Sequence, residues 1–236
     1  MDVVGCGCMG FSFTEKYMNA IVGIHDIINE IVGTVDFVSY QDFQDIIAKK
    51  GISKPSEIRM IIPFLDKAKI VNHRNLIRST TRITSVLIDE FFFTSFGLEF
   101  INILKLRQKD DLSNKEVSNK IENLFNKIGF LLFMNLCKTE SEYIYKAIFG
   151  FLKKYNTINH DEFYILTTAI ESNAKSTLEH NILKYRNGKI AEVNVKQNVN
   201  DYQYITTMLV QIGILEKVNN YYILTEKAEK LEIDYE

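Results

Sequence analysis

The chain has 236 residues, of which 46% are apolar and 25% charged, with a formal net charge of −2. That is the composition of an ordinary globular protein, with room for one large or two small domains. Three cysteines (Cys6, Cys8, Cys137) are too few for a disulfide scaffold and suit a reducing cytoplasm. No apolar stretch follows Asp2 as a secretory signal would require, and the longest apolar run, Ile128 to Leu136, is far shorter than the roughly 20 residues that cross a bilayer.

Residues 1–13 read as a weakly ordered tail. Helical spacing of apolar residues begins at Tyr17, Ile21, Ile24, Ile27, Ile28 and Ile31, with Thr14 as N-cap and Gly33 ending the helix. Phe37 to Tyr40 is a short strand, Asp42 to Lys50 a second helix closed by Gly51. A third helix starts after Ser53, its expected cap, with Pro55 in the first turn and Pro63 expected to kink or interrupt it. Lys69 to Asn72 reads as a short strand, and a long turn from Asn72 to Ser79 leads into a returning strand from Thr81 to Phe93. A closing helix spans Phe96 to Leu106. Asp110 to Lys115 is the polar hinge, and a helix or helix pair follows to Leu136.

A second unit opens at Thr139, with Glu142 three residues on as a capping box. Its first helix buries Tyr143, Ala147, Ile148, Phe151 and Leu152, and its second starts at His160. An insertion from Glu171 to Asn200 precedes a helix carrying Ile205, Met208, Leu209 and Ile212. Helix, short strand, hairpin, strand ending in threonine then repeats what was seen before: Ile61 to Val71 with Phe93-Thr94 in the first half, Ile205 to Leu215 with Leu224-Thr225 in the second. The expected fold is mainly α with small β wings, an α+β class of tandem winged helix-turn-helix domains. Residues 14–109 form the first, 110–138 connect, and 139–236 form the second with its insertion at 171–200.

Charge is unevenly placed. Nine basic residues from Lys49 to Arg82 face only Glu57 and Asp66, a local net of +7, so the rest sums to −9. A basic block on the repeated motif is the footprint of a phosphate-binding face. Lys54, Ser56, Arg59 and Lys67 are expected on the outer face of the third helix, and Arg74, Arg78 and Arg82 on the first wing. In the second unit Lys184, Arg186 and Lys196 of the insertion, with Gln203, Tyr204, Thr206 and Thr207 of the late helix, are the corresponding candidates. Such side chains hold phosphates or reach base edges.

Catalytic chemistry finds no support. Gly5-Cys6-Gly7-Cys8-Met9-Gly10 satisfies G-x-G-x-x-G, but no full strand precedes it and no βαβ alternation follows. Cys6 and Cys8 offer two thiolates where structural zinc needs four ligands. No Asp or Glu has a lysine two positions later, so the metal-dependent nuclease triplet is absent. No catalytic residue, metal or cofactor is expected. The partner expected is double-stranded DNA, with no membrane.

On Ile148 to Ile170, the inserted helix ending Tyr185-Arg186, Tyr204 to Leu215 and Tyr222 to Thr225, the layout resembles the DNA-recognition region of type IIS restriction endonucleases of the FokI and AlwI kind. The resemblance implies successive winged-helix subdomains that read DNA beside a separate nuclease domain or subunit. Tandem winged helices also look like transcriptional regulators or plasmid replication initiators, or like the protein-binding small subunits of chromosome-condensing complexes.

Overall fold

The computed structural model describes residues 1–7, 10–109, 115–138 and 143–233. Cys8, the hinge at 110–114 and the Thr139 and Glu142 capping box lie outside them. The chain is mainly helical, 60% helix and 14% strand, with small sheets. It divides into two compact units: Phe13–Asn135, the first, and Met1–Ser12 with Leu136–Glu236, the second.

Residues 1–7 are therefore not a tail. β1 (Asp2–Val4) belongs to the second unit.

In the first unit α1 (Glu15–Ile31) starts at Thr14, whose Oγ1 accepts from Tyr17 N, and buries Ala20, Ile21, Ile24, Ile27 and Ile28. β2 (Phe37–Ser39) leads into α2 (Tyr40–Lys49), capped by Ser39 Oγ, which accepts from Asp42 N at 3.0 Å. α3 (Pro55–Lys67) has Lys54, not Ser53, at its N-cap. The capping contact comes from Glu57, whose carboxylate accepts from Lys54 N at 3.2 Å, from Ser53 Oγ at 2.7 Å and from Lys16 of α1. α3 runs unbroken through Pro63 to Lys67, because Ile58, Ile61, Ile62, Phe64 and Leu65 are all buried and their packing outweighs one missing N–H.

A 3-10 turn (His73–Asn75) leads into β3 (Leu76–Ser79) and β4 (Arg82–Leu87), and the sheet order is β2-β4-β3 with antiparallel pairs. β4 ends well before Phe93; the expected strand at Lys69 to Asn72 is reduced to a single bridge between Val71 and Phe93. α4 (Ser95–Lys109) closes the unit, and the expected helix or helix pair is one helix, α5 (Lys115–Cys137), whose last turn is counted in the second unit. Phe13 sits 5.8 to 6.0 Å from the rings of Phe64, Phe100 and Phe125, the centre of the core.

The second unit continues with α6 (Tyr143–Tyr155), α7 (His160–Glu171), α8 (Lys175–Arg186), β5 (Asn194–Gln197), α9 (Asp201–Gln211), the hairpin β6 (Leu215–Val218) and β7 (Tyr221–Leu224), and α10 (Glu226–Glu229). Tyr143, expected in the core, is exposed at the start of α6. Ile158 bridges Tyr222, so the segment before α7 lies along the hairpin as a short third strand. β1 pairs in parallel with β5, Val3 opposite Val195. Val4 is also held by α7: its N–H donates to Thr168 Oγ1 and its carbonyl accepts from Thr167 Oγ1, each at 2.7 Å.

The repeated sequence pattern has an atomic counterpart. After α3, Lys69 turns left-handed (φ 61°), Ile70 N donates to Leu65 O at 2.8 Å, and Thr94 donates from N to Ile70 O and from Oγ1 to Lys69 O. After α9, Gly213 turns left-handed (φ 75°), Ile214 N donates to Leu209 O at 2.9 Å, and Thr225 donates from N to Ile214 O and from Oγ1 to Gly213 O. Each threonine Oγ1 also accepts an N–H from the first turn of the next helix, Gly97 or Ala228.

The glycines of the N-terminal segment are explained by close approach. A Cβ on Gly10 would stand 2.4 Å from the Tyr204 carbonyl carbon, and one on Gly5 2.7 Å from the Asp201 carboxylate. Gly10→Ala should therefore destabilise the second unit by about 1–3 kcal/mol, the usual cost of overpacking. Urea titration followed by amide exchange at α9 checks it; an unchanged midpoint would mean the segment is not seated on α9.

Glu57 offers a test in the first unit. The Lys16 hydrogen bond foremost, and that of Ser53 next, lower its pKa from the ordinary 4.5 to about 2. The lowered value means the contact stabilises the fold fully above pH 4.5 and is lost as pH falls towards 2. The stability gap between wild type and Glu57→Gln should thus be constant near neutrality and close on acidification through that window. A gap independent of pH down to 2 would show that the charge is not what matters.

Candidate nucleic-acid interface

α3 has one buried side and one open side. With Ile58, Ile61, Ile62 and Leu65 inside, Lys54, Ser56 and Arg59 stand exposed on the first two turns, and neither Lys54 nor Arg59 has an ion pair among the described residues. Lys67, in the last turn, is half-buried and engaged in an interaction of its own. Tyr40, at the start of α2, lies under this face: its hydroxyl donates to Ile58 O at 3.4 Å. Burial pushes its pKa up to about 12, against the opposing charges of Arg59 and Arg78, so the phenol stays a neutral donor beside two guanidinium groups.

The hairpin cations differ from one another. Arg82, at the open end of β4, is exposed and has no ion pair among the described residues. Arg74 is 56% exposed, with its guanidinium over the Phe91 ring at 5.1 Å and 3.5 Å from Asp89. Arg78 corrects the sequence reading. Its Nη2 donates to Asp66 Oδ2 at 2.9 Å, and His73 Nδ1 lies 3.0 Å from the same carboxylate and 3.2 Å from Arg78 Nη1. Asp66 is buried at the end of α3, so Arg78 ties the hairpin to that helix rather than standing free for a phosphate.

In the second unit three expectations part. Gln203 and Tyr204 are exposed on α9, Thr207 is half-buried, and Lys184 and Lys196 are exposed, Lys196 with its Nζ 3.5 Å from Asp2. Thr206 is buried, and its Oγ1 donates to Tyr202 O at 2.6 Å; it cannot reach a base edge. The reason is that α9 packs on more than one side: Gly10 presses on its backbone at Tyr204 and Phe11 N donates to Met208 Sδ. Arg186 is also turned to structural work. Its Nε donates to Glu162 Oε1 at 2.6 Å, its Nη2 to Thr157 O at 3.1 Å, and the guanidinium covers the Tyr155 ring at 5.3 Å.

The sequence reading missed Tyr40, Asp66 and Glu162. Only Glu162 had a local signal: Asn159-x-x-Glu162 is a capping box, Asn159 Oδ1 accepting from Glu162 N at 2.9 Å and Glu162 Oε2 from Asn159 N at 3.1 Å. The G-x-G-x-x-G segment presents Gly7 N not to a ligand but to Asp201, whose Oδ2 accepts it at 2.8 Å; burial raises the Asp201 pKa. Among the described residues no group of three or more His, Cys, Asp or Glu could hold a metal ion, and no helix is long and apolar enough to cross a membrane.

Glu162 is 2% exposed, so Arg186→Ala would strand a buried carboxylate. The expected loss is on the order of 3 kcal/mol of stability, read by chemical denaturation. Arg186→Ala with unchanged stability but weakened nucleic-acid binding would restore the role read from the sequence.

No protein-family model matches the chain, and no similar curated protein or solved structure was found.

Proposed function

We propose that the chain is a sequence-specific double-stranded DNA-binding protein built from two winged helix-turn-helix units, acting in the cytoplasm as the recognition module or subunit of a restriction endonuclease. The observation that carries the DNA reading is the outer face of α3. Lys54, Ser56 and Arg59 project from a helix whose opposite side is wholly buried, and Arg74 and Arg82 stand exposed on the following hairpin segment. An arginine on such a helix can enter the major groove without disturbing its core, and hairpin cations meet the flanking phosphates. The restriction assignment rests on the resemblance in the second half of the chain; cleavage would be supplied by a nuclease domain or subunit beyond these residues.

Selection of oligonucleotides at physiological salt should enrich a short, asymmetric motif, since the two units present unlike faces. Arg59→Ala should cost about 1–3 kcal/mol on that motif and little on random duplex, and lysine should not rescue it, lacking the planar fork. Arg74→Ala with Arg82→Ala should lower the salt slope by up to about two, one per phosphate contact. Enrichment of no sequence, or equal losses on specific and random duplex, would overturn the sequence-reading role of α3.

A further inference from the structure

The second unit contains a cleft of about 490 Å³ lined by Thr157, Asn159, Glu162, Tyr185, Arg186 and Tyr221. Its volume is within the range of small-molecule sites. None of its lining is drawn from the α3 face, so it calls for its own reading.

The floor is rigid and electrically balanced. The buried Glu162 carboxylate accepts from Arg186 Nε and from Asn159 N, and Arg186 is further held by Thr157 and by the Tyr155 ring. The Arg186–Glu162 pair is neutral in itself, and the nearby Asp161 carboxylate accepts the Tyr185 hydroxyl, so no lining cation is left unpaired to draw in a phosphate. Arg186 Nη1 has no hydrogen-bond partner among the described residues, so its two N–H donors remain, and the carboxylate oxygens and the Thr157 hydroxyl keep lone pairs as acceptors. Tyr185 donates its hydroxyl to Asp161 Oδ2 at 3.0 Å, which fixes the ring; burial, then Asp161, hold its pKa above the ordinary value, so it stays neutral.

The rim is set by backbone pairing. Ile158 and Tyr222 exchange hydrogen bonds of 3.0 and 2.9 Å, and the Tyr222 ring meets Tyr202 at 5.7 Å. Strand alternation then sends the neighbouring Tyr221 to the other face, where it is 43% exposed beside Thr157. The result is a site with aromatic walls, a fixed planar guanidinium whose Nη1 donors are open, several acceptors and no unpaired cation.

A neutral, flat heterocycle with donors and acceptors along one edge meets each of these features. We infer that this cleft binds a nucleobase, carried either by a free nucleoside or by an unpaired position of a nucleic acid.

The test is isothermal titration of the full chain with adenosine, guanosine, cytidine and thymidine, and with glucose and galactose as neutral polar controls. At least one nucleoside should bind, the hexoses should not, and Tyr221→Ala should weaken binding about 5- to 100-fold, as expected for loss of one stacking ring. Tyr221→Phe keeps the ring and should retain most of the affinity. Tyr221 stands on the rim, so these variants leave the fold intact, which thermal melting verifies. A duplex bearing one unpaired base, compared with its fully paired counterpart, separates the sources. Tighter binding of the unpaired-base duplex than of the paired one, lost in Tyr221→Ala, assigns the site to nucleic acid; equal binding of the two duplexes, to which α3 contributes alike, assigns it to the nucleoside. Absence of nucleoside binding, binding unchanged in Tyr221→Ala, or binding of a hexose instead would overturn the inference. None of these results depends on duplex binding by α3, which Arg59→Ala probes separately.

Discussion

Each unit is organised by the way a threonine closes the end of a helix. The last carbonyls of α3 and α9 have no partner within the helix, and a left-handed residue, Lys69 or Gly213, turns the chain so that Ile70 or Ile214 satisfies one of them. Thr94 or Thr225, arriving from the far side of the hairpin, then takes the exposed carbonyls of the turn and offers the same hydroxyl to the following helix. One side chain thus joins three elements at a point. In the first unit Gly97 is needed there, since a Cβ would stand 2.1 Å from Ile70 O. With the helix end, the hairpin base and the next helix pinned together, the outer face of α3 is presented from a fixed frame. Arg78 and Asp66 add a second tie between the same helix and the hairpin.

The second unit depends on a segment taken from the other end of the chain. Residues 1–7 contribute a strand to β5, and Gly7 supplies an N–H for Asp201 at the start of α9. β5 itself belongs to the insertion between α7 and α9, so the two stretches that break the sequence repeat are partners. Without the N-terminal segment the Thr167 and Thr168 hydroxyls and the Asp201 carboxylate lose acceptors or donors, and the apolar contact of Val3, 1% exposed, is gone. Its receptor residues are translated 163 to 194 residues later, so the segment must remain unpaired until then.

Helix positions were legible because long apolar periods dominate them: α1, α3, α4 and α9 lie where spacing placed them, within a few residues. What misled was local chemistry overridden by packing. Pro63 is expected to kink or interrupt the helix, yet with five buried neighbours α3 continues through it. Thr206 reads as outward on a helix assumed to have one buried side, and Arg186 as an unpaired cation because its carboxylate partner lies 24 residues away on α7. Arg78 fails for the same reason across 12 residues. Charge density along the chain counts cations; it cannot tell which of them a buried carboxylate has claimed. β1 was illegible since three residues carry no period, and its partner β5 sits in a segment with little apolar pattern.

Once those claimed cations are set aside, the two units differ more than their shared architecture implies. Among the described residues Lys54 and Arg59 at the start of α3 have no ion pair, and Arg82 follows, so this face is cationic. α9 has no lysine or arginine at all, and exposes Gln203 and Tyr204. The α3 face therefore carries exposed positive charge and the α9 face does not. The second unit instead sets the Arg186 guanidinium against the buried Glu162 carboxylate at the floor of an aromatic-rimmed cleft. The repeated helices and hairpins thus carry different surface chemistry: exposed cations in the first unit, and in the second a guanidinium–carboxylate pair fixed between aromatic rings.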